Sequence, residues 1–416
     1  MSTIQKITGF ADMFPPESDT FTFMEETARK VFGVYGYREI RVPILERTEL
    51  FKRSIGDETD VVQKEMYTFP DRKDRSLTMR PEATAGVMRA YIESNMHAQE
   101  QVSKLFTFGP MFRYERPQKG RMRQFHQLDC ECLGPDEPYV DAEVILMLMT
   151  FLRRIGLTDL LLEINTLGCR DCRPQYNAAL KEFLAGLDRD ALCEDCRRRM
   201  ETNPLRVLDC KVPTCKALTE HAPTIAEHAC PTCKQHHGAV LATLDASGVE
   251  YVQNPRLVRG LDYYNRTTFE VVSRSIGAQG SVAGGGRYDG LIRQLGGPDV
   301  PGVGFACGME RLALMLAQTE GERELPRPDF FIAVLEEAGL RPALLLAQSL
   351  REAGKTGETA FAARSMKAQM RQAGRKNARK ALIVGGDELA AGTVVVKDME
   401  SGEQQTVPMS DVAAYL

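Results

Sequence analysis

The spacing of apolar and polar positions divides the chain before any motif is read. Residues Thr20 to Tyr35 repeat apolar side chains at helical intervals (Phe21, Met24, Ala28, Val31, Phe32), and after Gly36 the stretch REIRVPILE from Arg38 reads as extended. Pro43 inside that stretch cannot donate to a ladder, so the strand belongs at a sheet edge or at an interface between copies. From Lys104 to Gly134 the pattern is strand, polar turn, strand. In the second arm Phe125, Gln127, Asp129 and Glu131 fall on one face, and His126, Leu128, Cys130 and Cys132 on the other, because successive side chains of a strand alternate. The first arm sorts likewise, with Met111, Arg113 and Glu115 opposite Phe106, Phe108, Phe112 and Tyr114. One face of this hairpin is therefore apolar and the other ionisable. Its turn, ERPQKGRMR, carries Arg116, Lys119, Arg121 and Arg123 as a basic tip.

Further along, Leu160 to Leu167 is apolar, and a different texture follows. Eight of the eleven cysteines lie between Cys169 and Cys233, spaced C-x2-C, x20, C-x2-C, x13, C-x4-C, x14, C-x2-C. Cysteines two residues apart can grip one ion from a tight turn, so Cys169, Cys172, Cys193, Cys196, Cys210, Cys215, Cys230 and Cys233 read as ligands of structural zinc. His228, His236 and His237 are substitute ligands, and the four pairs combine into two sites in three ways that spacing does not separate. Buried free thiols are the competing reading. Residues 169–243 are expected to form a small inserted helical domain whose own core is thin and needs such staples. The Gly run Gly284 to Gly286 is expected between an extended segment and a helix starting near Asp289, where backbone can approach a ligand and free N–H groups can meet an anion. Around Glu320 to Pro328, EGERELPRP reads as a linker. A second α/β unit follows, with strands at Phe330 to Leu335, Thr359 to Ala363, Ala381 to Val384 and Thr393 to Lys397. Its helix from Arg364 to Lys380 holds seven basic residues and no acidic one, which suits a polyanion.

Composition narrows the picture. With 416 residues the chain exceeds a single core, and 43% hydrophobic and 26% charged residues exclude fibrous and disordered classes. The net charge of −4 confines nucleic-acid contact to local basic patches. The longest apolar stretch, Val144 to Leu152, is too short for a membrane span, and the N-terminus has no secretory pattern. A cytoplasmic protein with reduced thiols and no membrane partner is expected.

Several strings in order, RPEATA, FRYERPQKGRMRQFHQLDCE, LVRGLDYYNRTTFE, AGGGRYDGL and GVGFACGMERL, make the chain resemble a class II aminoacyl-tRNA synthetase, specifically the histidyl-tRNA synthetase family. The resemblance runs nearly end to end. It implies an α/β (α+β) fold: a class II antiparallel-sheet catalytic domain over 1–325, carrying the cysteine-rich insertion, and an α/β anticodon-binding domain over 328–416. It implies an ATP-dependent ligase that forms histidyl-adenylate with Mg2+ and transfers histidine to the 3′ end of tRNA(His), as a homodimer. By the same resemblance Arg113 and Arg259 are catalytic cations on the α-phosphate. Glu115, Phe125, Arg121 and Arg311 bind the rest of ATP. Glu82, Thr84 and Gln127 take the α-amino group of histidine, and Glu131 with Tyr264 hold its ring; Tyr263, counted with this histidine-binding group, and Tyr288 read equally as packing residues or ligand contacts. Asp129 shares that face without an assigned role, and no base for the transfer step is apparent. Ala83 stands where the family commonly has Gly, a substitution costing on the order of a kcal/mol if φ there is positive. The competing functions are a non-catalytic regulatory subunit of ATP phosphoribosyltransferase and a zinc-stapled tRNA-binding module. The chain keeps Arg259 and the C-terminal unit against the first, and Arg113 and Arg311 against the second.

Overall fold

Extended segments between Arg38 and Gly308 meet in one eight-stranded sheet. The computed structural model describes residues 3–57, 59–118, 120–273, 280–319 and 327–416. The chain divides into two compact units, Met1–Arg323 and Glu324–Leu416. Most of the expected linker lies outside the described residues.

The first unit opens with α1 (Glu17–Val34) and then β1 (Arg38–Glu39). The long hairpin is β2 (Ser103–Phe112) and β3 (Gln124–Leu133). After the apolar helix α2 (Pro138–Arg154) come β4 (Leu160–Thr166), β5 (Tyr251–Gln253), β6 (Asn265–Ser273), β7 (Ser281–Arg287) and β8 (Gly302–Gly308). The sheet order is β1-β2-β3-β8-β7-β6-β4-β5. Its six middle strands are antiparallel to their neighbours, and the short outer strands β1 and β5 pair in parallel. One face is covered by α1 and α2. Phe32 packs edge-on against Phe106 and Phe305 there, and Leu128, Cys130 and Cys132 of β3 are buried in the same core. The opposite face is left for the ionisable side chains.

Three local expectations are corrected. The stretch from Arg38 is not one strand: only Arg38–Glu39 joins the large sheet, at its edge, and Leu45–Arg47 joins a separate three-stranded sheet with Tyr67–Pro70 and Ser76–Met79. Pro43 falls in the break, as its missing N–H requires. The Gly run does not lie between an extended segment and a helix: it is inside the central strand β7, and the helix expected near Asp289 starts at Leu291 as a single turn, Leu291–Gln294, too short to serve as an anion site. A Cβ on Gly285 would come within 2.1 Å of the Gly304 carbonyl, so the glycines serve close strand packing. Ala83, finally, is unstrained: it caps helix α3 (Thr84–Glu93) with φ −96°, so no positive φ is asked of it.

The insertion leaves the sheet between β4 and β5. It consists of α4 (Arg173–Ala185), α5 (Glu194–Thr202), three short turns of helix and α6 (Pro231–Ala246). It has its own small core of Tyr176, Leu180, Leu184, Val207 and Ile225. The last helix outruns the expected boundary at 243, and its Val240 and Leu244 are buried in the main core. Met309–Thr319 forms α7 directly after β8.

The second unit is a five-stranded sheet, β9 (Phe330–Val334), β10 (Gly357–Thr359), β11 (Lys380–Val384), β12 (Thr393–Asp398) and β13 (Gln404–Pro408), in the order β10-β9-β11-β12-β13. Helices α8 (Leu340–Glu352) and α9 (Met366–Arg375) flank it. The basic helix is shorter than expected because Lys380 belongs to β11, where it pairs with Asp398 at 2.7 Å. Lys367, Arg371 and Arg375 remain on α9 as an exposed stripe. Strand β13 had no sequence signal: its polar Gln404, Gln405 and Thr406 resemble a loop, and only pairing with β12 makes it a strand. Among the described residues no helix is long and apolar enough to cross a membrane.

Candidate active site

The ionisable face of the sheet is the floor of a cavity of about 490 Å³. Its centre is built by register. Glu131 lies opposite Gly304, Asp129 opposite Ala306 and Gln127 opposite Gly308, while Gly284 of the next strand lies opposite Ala306. Small residues thus surround the acidic ones and leave room above them. A Cβ on Gly304 would come within 2.1 Å of Glu131 Oε2, and one on Gly284 within 2.4 Å of the Arg259 guanidinium.

All twelve residues that the resemblance assigned to ATP or histidine line this one cavity, and Asp129 with them. On the arginine-rich side Arg113 lies with its guanidinium carbon 5.3 Å from the Phe125 ring centre and donates from Nε to the Pro81 carbonyl at 2.9 Å. Arg121 pairs with Glu115 at 3.1 Å. Arg311 donates from Nη1 to the Ser281 carbonyl. Its place in the first turn of α7 is held by the neighbouring Glu310, whose carboxylate accepts from the His126 backbone N–H at 2.9 Å. Arg259 projects from the loop before β6, over Gly284, and pairs with Glu270 at 3.4 Å. The basic tip of the hairpin is less free than its composition implied. Arg121 is engaged as described and Arg123 lies 3.9 Å over Tyr114, leaving Arg116 exposed, while Lys119 lies outside the described residues.

Three buried carboxyls face these cations: Glu82, Asp129 and Glu131. Glu82 accepts backbone N–H bonds from Thr84 at 3.0 Å and Ala85 at 2.9 Å, so it also caps α3. Burial pushes Glu131 up to about 8, against the hydrogen bonds of Thr84 and Tyr288 that favour its ionised form. Burial, then the neighbouring Glu131 and Glu82, push Asp129 well above the usual carboxylate range. Among the described residues several polar atoms here have no partner: Gln127 Oε1, Asp129 Oδ2, Glu131 Oε1 and Arg259 Nε are all buried and unsatisfied. Unpaired acceptors in a cavity that also holds free guanidinium edges call for a ligand with N–H donors at one end and negative oxygens at the other.

Tyr288, which the sequence leaves open between packing and ligand contact, donates from its hydroxyl to Glu131, and its ring packs against Tyr263 and Tyr264, so it belongs to the acidic end. Other parts of this wall had no assignment in the sequence. Arg206, Asp209 and Lys211 reach the cavity from the insertion, and Glu270 from β6. Nothing in local spacing marks the first three.

The eight insertion cysteines form two groups. Cys169, Cys172, Cys230 and Cys233 make one, and Cys193, Cys196, Cys210 and Cys215 the other, with the four sulfurs of each within 4.8 Å of one another. Of the three pairings open to the sequence, the fold selects the outer pairs together and the inner pairs together. None of the histidines joins them: His236 instead donates to or accepts from Asp141 at 2.8 Å.

An antiparallel sheet whose polar face gathers arginines around a glycine-lined floor, joined in one chain to a small α/β unit, is the arrangement that the resemblance to class II aminoacyl-tRNA synthetases implied. Comparison with known proteins narrows this further. The histidyl-tRNA synthetase family model matches residues 9–312, and an anticodon-binding-domain model matches residues 329–416. A histidine–tRNA ligase of Oleidesulfovibrio alaskensis is 73% identical over 98% of either chain, and one of Nitratidesulfovibrio vulgaris strain Hildenborough is 71% identical over 100% of this chain and 99% of its own. The apo crystal structure of Staphylococcus aureus histidyl-tRNA synthetase superposes with a TM-score of 0.83 at 37% identity, covering 99% of both chains. The chain belongs to the histidyl-tRNA synthetase family, and histidine–tRNA ligation, not the regulatory role of the synthetase-like subunits, is its activity.

Proposed function

We propose that the cavity binds ATP along its arginine side and histidine over its carboxyl floor, so that a histidine carboxylate oxygen attacks the α-phosphorus and pyrophosphate leaves. The ribose hydroxyl at the tRNA 3′ end then attacks the carbonyl carbon and AMP departs. The observation that carries this reading is the convergence of Arg113, Arg259 and Arg311 in the same cavity as Glu82, Gln127 and Glu131. Negative charge grows on the equatorial phosphate oxygens in the transition state, and fixed guanidinium groups stabilise it there. In this reading Arg113 and Arg259 meet the α-phosphate, and Arg121 and Arg311 the tail. Phe125, already faced by Arg113, stacks on adenine with Glu115 at its edge. Glu270 and Glu310 offer carboxylate oxygens on the same side, a donor type that suits the Mg2+ accompanying ATP.

Glu82, Thr84 and Gln127 receive the ammonium group. Glu131, oriented by Tyr288, and Tyr264 beside Tyr263 receive the imidazole, with Asp129 adding negative potential beneath. A side chain without ring nitrogens would leave these buried groups unpaired, which is how such a pocket rejects analogues. The second unit supplies tRNA contact, with the α9 stripe meeting phosphates and giving salt-dependent affinity. The two four-cysteine groups suit structural zinc, because four thiolates leave no position open for substrate.

The test is pyrophosphate exchange into ATP with magnesium. Exchange is expected with histidine alone among the amino acids, and Arg259→Ala should slow it by roughly 10² to 10³. Exchange independent of the amino acid supplied would refute the assignment.

A further inference from the structure

The two cysteine groups have the dimensions of metal sites. A tetrahedral ion with Zn–S bonds of about 2.3 Å sets its sulfurs ~3.8 Å apart. Cys169 and Cys172 are separated by 3.5 Å, Cys172 and Cys233 by 3.8 Å, Cys169 and Cys230 by 4.0 Å, and Cys193 and Cys210 by 3.8 Å. These distances are close to the edge of such a tetrahedron and far beyond the ~2.05 Å of a disulfide. Each group also receives a backbone N–H on sulfur, from Cys230 to Cys172 at 3.1 Å and from Cys193 to Cys215 at 3.2 Å.

The two groups differ in what they hold. The outer one closes the root of the insertion, between its first and last helices. The inner one holds a segment that enters the active cavity. Cys210 stands directly between Asp209 and Lys211, which line the cavity with Arg206. Arg206 donates from Nη1 to the backbone carbonyl of Arg259 at 3.1 Å. The other side of the inner group is tied to the same loop. Arg256, three residues before Arg259, donates to the Thr219 carbonyl at 2.6 Å and hydroxyl at 2.7 Å, just past the short helix that carries Cys215, and to the Leu208 carbonyl at 3.3 Å. The loop bearing Arg259 is thus held at two points by chain that the inner cysteines gather. Helices of four and six residues, Leu205–Leu208 and Pro213–Leu218, have little stability of their own, so the metal is what can fix them.

We propose that both groups bind Zn2+ as tetrathiolates and that the inner ion, through Arg206 and Arg256, positions Arg259 for adenylate formation. The second half of this rests on the activity proposed above; the first does not. Arg206 acts here as a positioning residue, through the backbone of another side chain.

The experiment uses the full chain, prepared anaerobically. Two zinc ions per chain are expected, and cobalt substitution should give the ligand-field bands of tetrahedral thiolate for two ions. Cys215→Ser should reduce both counts to one and lower kcat of histidine-dependent exchange about tenfold or more, since small misplacement of a catalytic group has costs of that order. Should that variant fail to fold, Arg206→Ala carries the test. It should keep two ions and still lose kcat about tenfold, and Arg206→Lys should recover part of the loss. Protein with no bound metal overturns the sites. Wild-type kcat in Arg206→Ala, or in a folded Cys215→Ser with one ion, overturns the coupling. Metal content is read without substrate, so two tetrathiolate ions in a protein inactive with histidine would strike the proposed activity and not the sites.

Discussion

At the scale of single residues the cavity is governed by where charge is buried. Glu131 is raised to about 8 by burial, so in the free protein at neutral pH its carboxyl is protonated. A ring N–H that donates to it favours the ionised form, so histidine binding below pH 8 must release a proton. The sign follows: histidine affinity should rise with pH between about 7 and 8 and level off once Glu131 is already ionised. Titration calorimetry in buffers of different ionisation enthalpy reads both the proton and the slope. Glu131→Gln keeps the size of the side chain and removes its charge. It should weaken histidine binding by roughly 10- to 100-fold, the value of a hydrogen bond to a charged group, and abolish the pH slope. The same slope in the variant would place the titration elsewhere.

At the scale of elements, the hairpin faces were legible because strand periodicity is a local property. Phe125, Gln127, Asp129 and Glu131 share the cavity face, as alternation alone required, and Cys130 and Cys132 the core face. The role of Gly304 was not legible, because its reason lies across the ladder. A Cβ there would strike the Cys130 carbonyl at 2.2 Å as well as Glu131. Gly304→Ala must therefore push β8 from β3 or turn Glu131 aside. Overpacking of this kind costs about 1–3 kcal/mol. Thermal denaturation should show a lowered midpoint, and KM for histidine should rise; an unchanged KM would mean that Glu131 is not set by this contact. The insertion is keyed to the sheet by a buried link of the same long-range kind. Arg287, at the end of β7, donates from Nε to Asp141 of α2 at 3.0 Å, and Asp141 in turn meets His236 of α6. Burial opposes the charge on Asp141, but His236 and Arg287 hold its carboxyl below the usual range.

At the scale of the whole molecule the two units have separate cores, one under the eight-stranded sheet and one around β9 and β11. The broken strand after α1 gives the first unit an exposed apolar edge. Ile44 and Leu45 beside Pro43, and Phe69 on the paired small sheet, are each about two-fifths accessible. Grouped apolar exposure of this kind marks a contact surface, and a second copy of the chain is the occupant expected from the family resemblance. Sedimentation should give twice the mass of one chain, and Leu45→Asp should shift it toward one. A wild-type protein that sediments as a single chain at all concentrations would remove the dimer.

What the amino-acid order determined by itself was carried by short periods and short strings: which hairpin face is ionisable, which family the motifs resemble, and that eight thiols come in four pairs. Which pairs share an ion, that Tyr288 orients Glu131, and that the insertion sends Arg206 to the backbone of Arg259 were decided only in three dimensions. The physical reason is separation along the chain. Cys169 and Cys230 are brought together at 4.0 Å only because the helices between them pack on their own core, and no local pattern encodes the outcome of that packing.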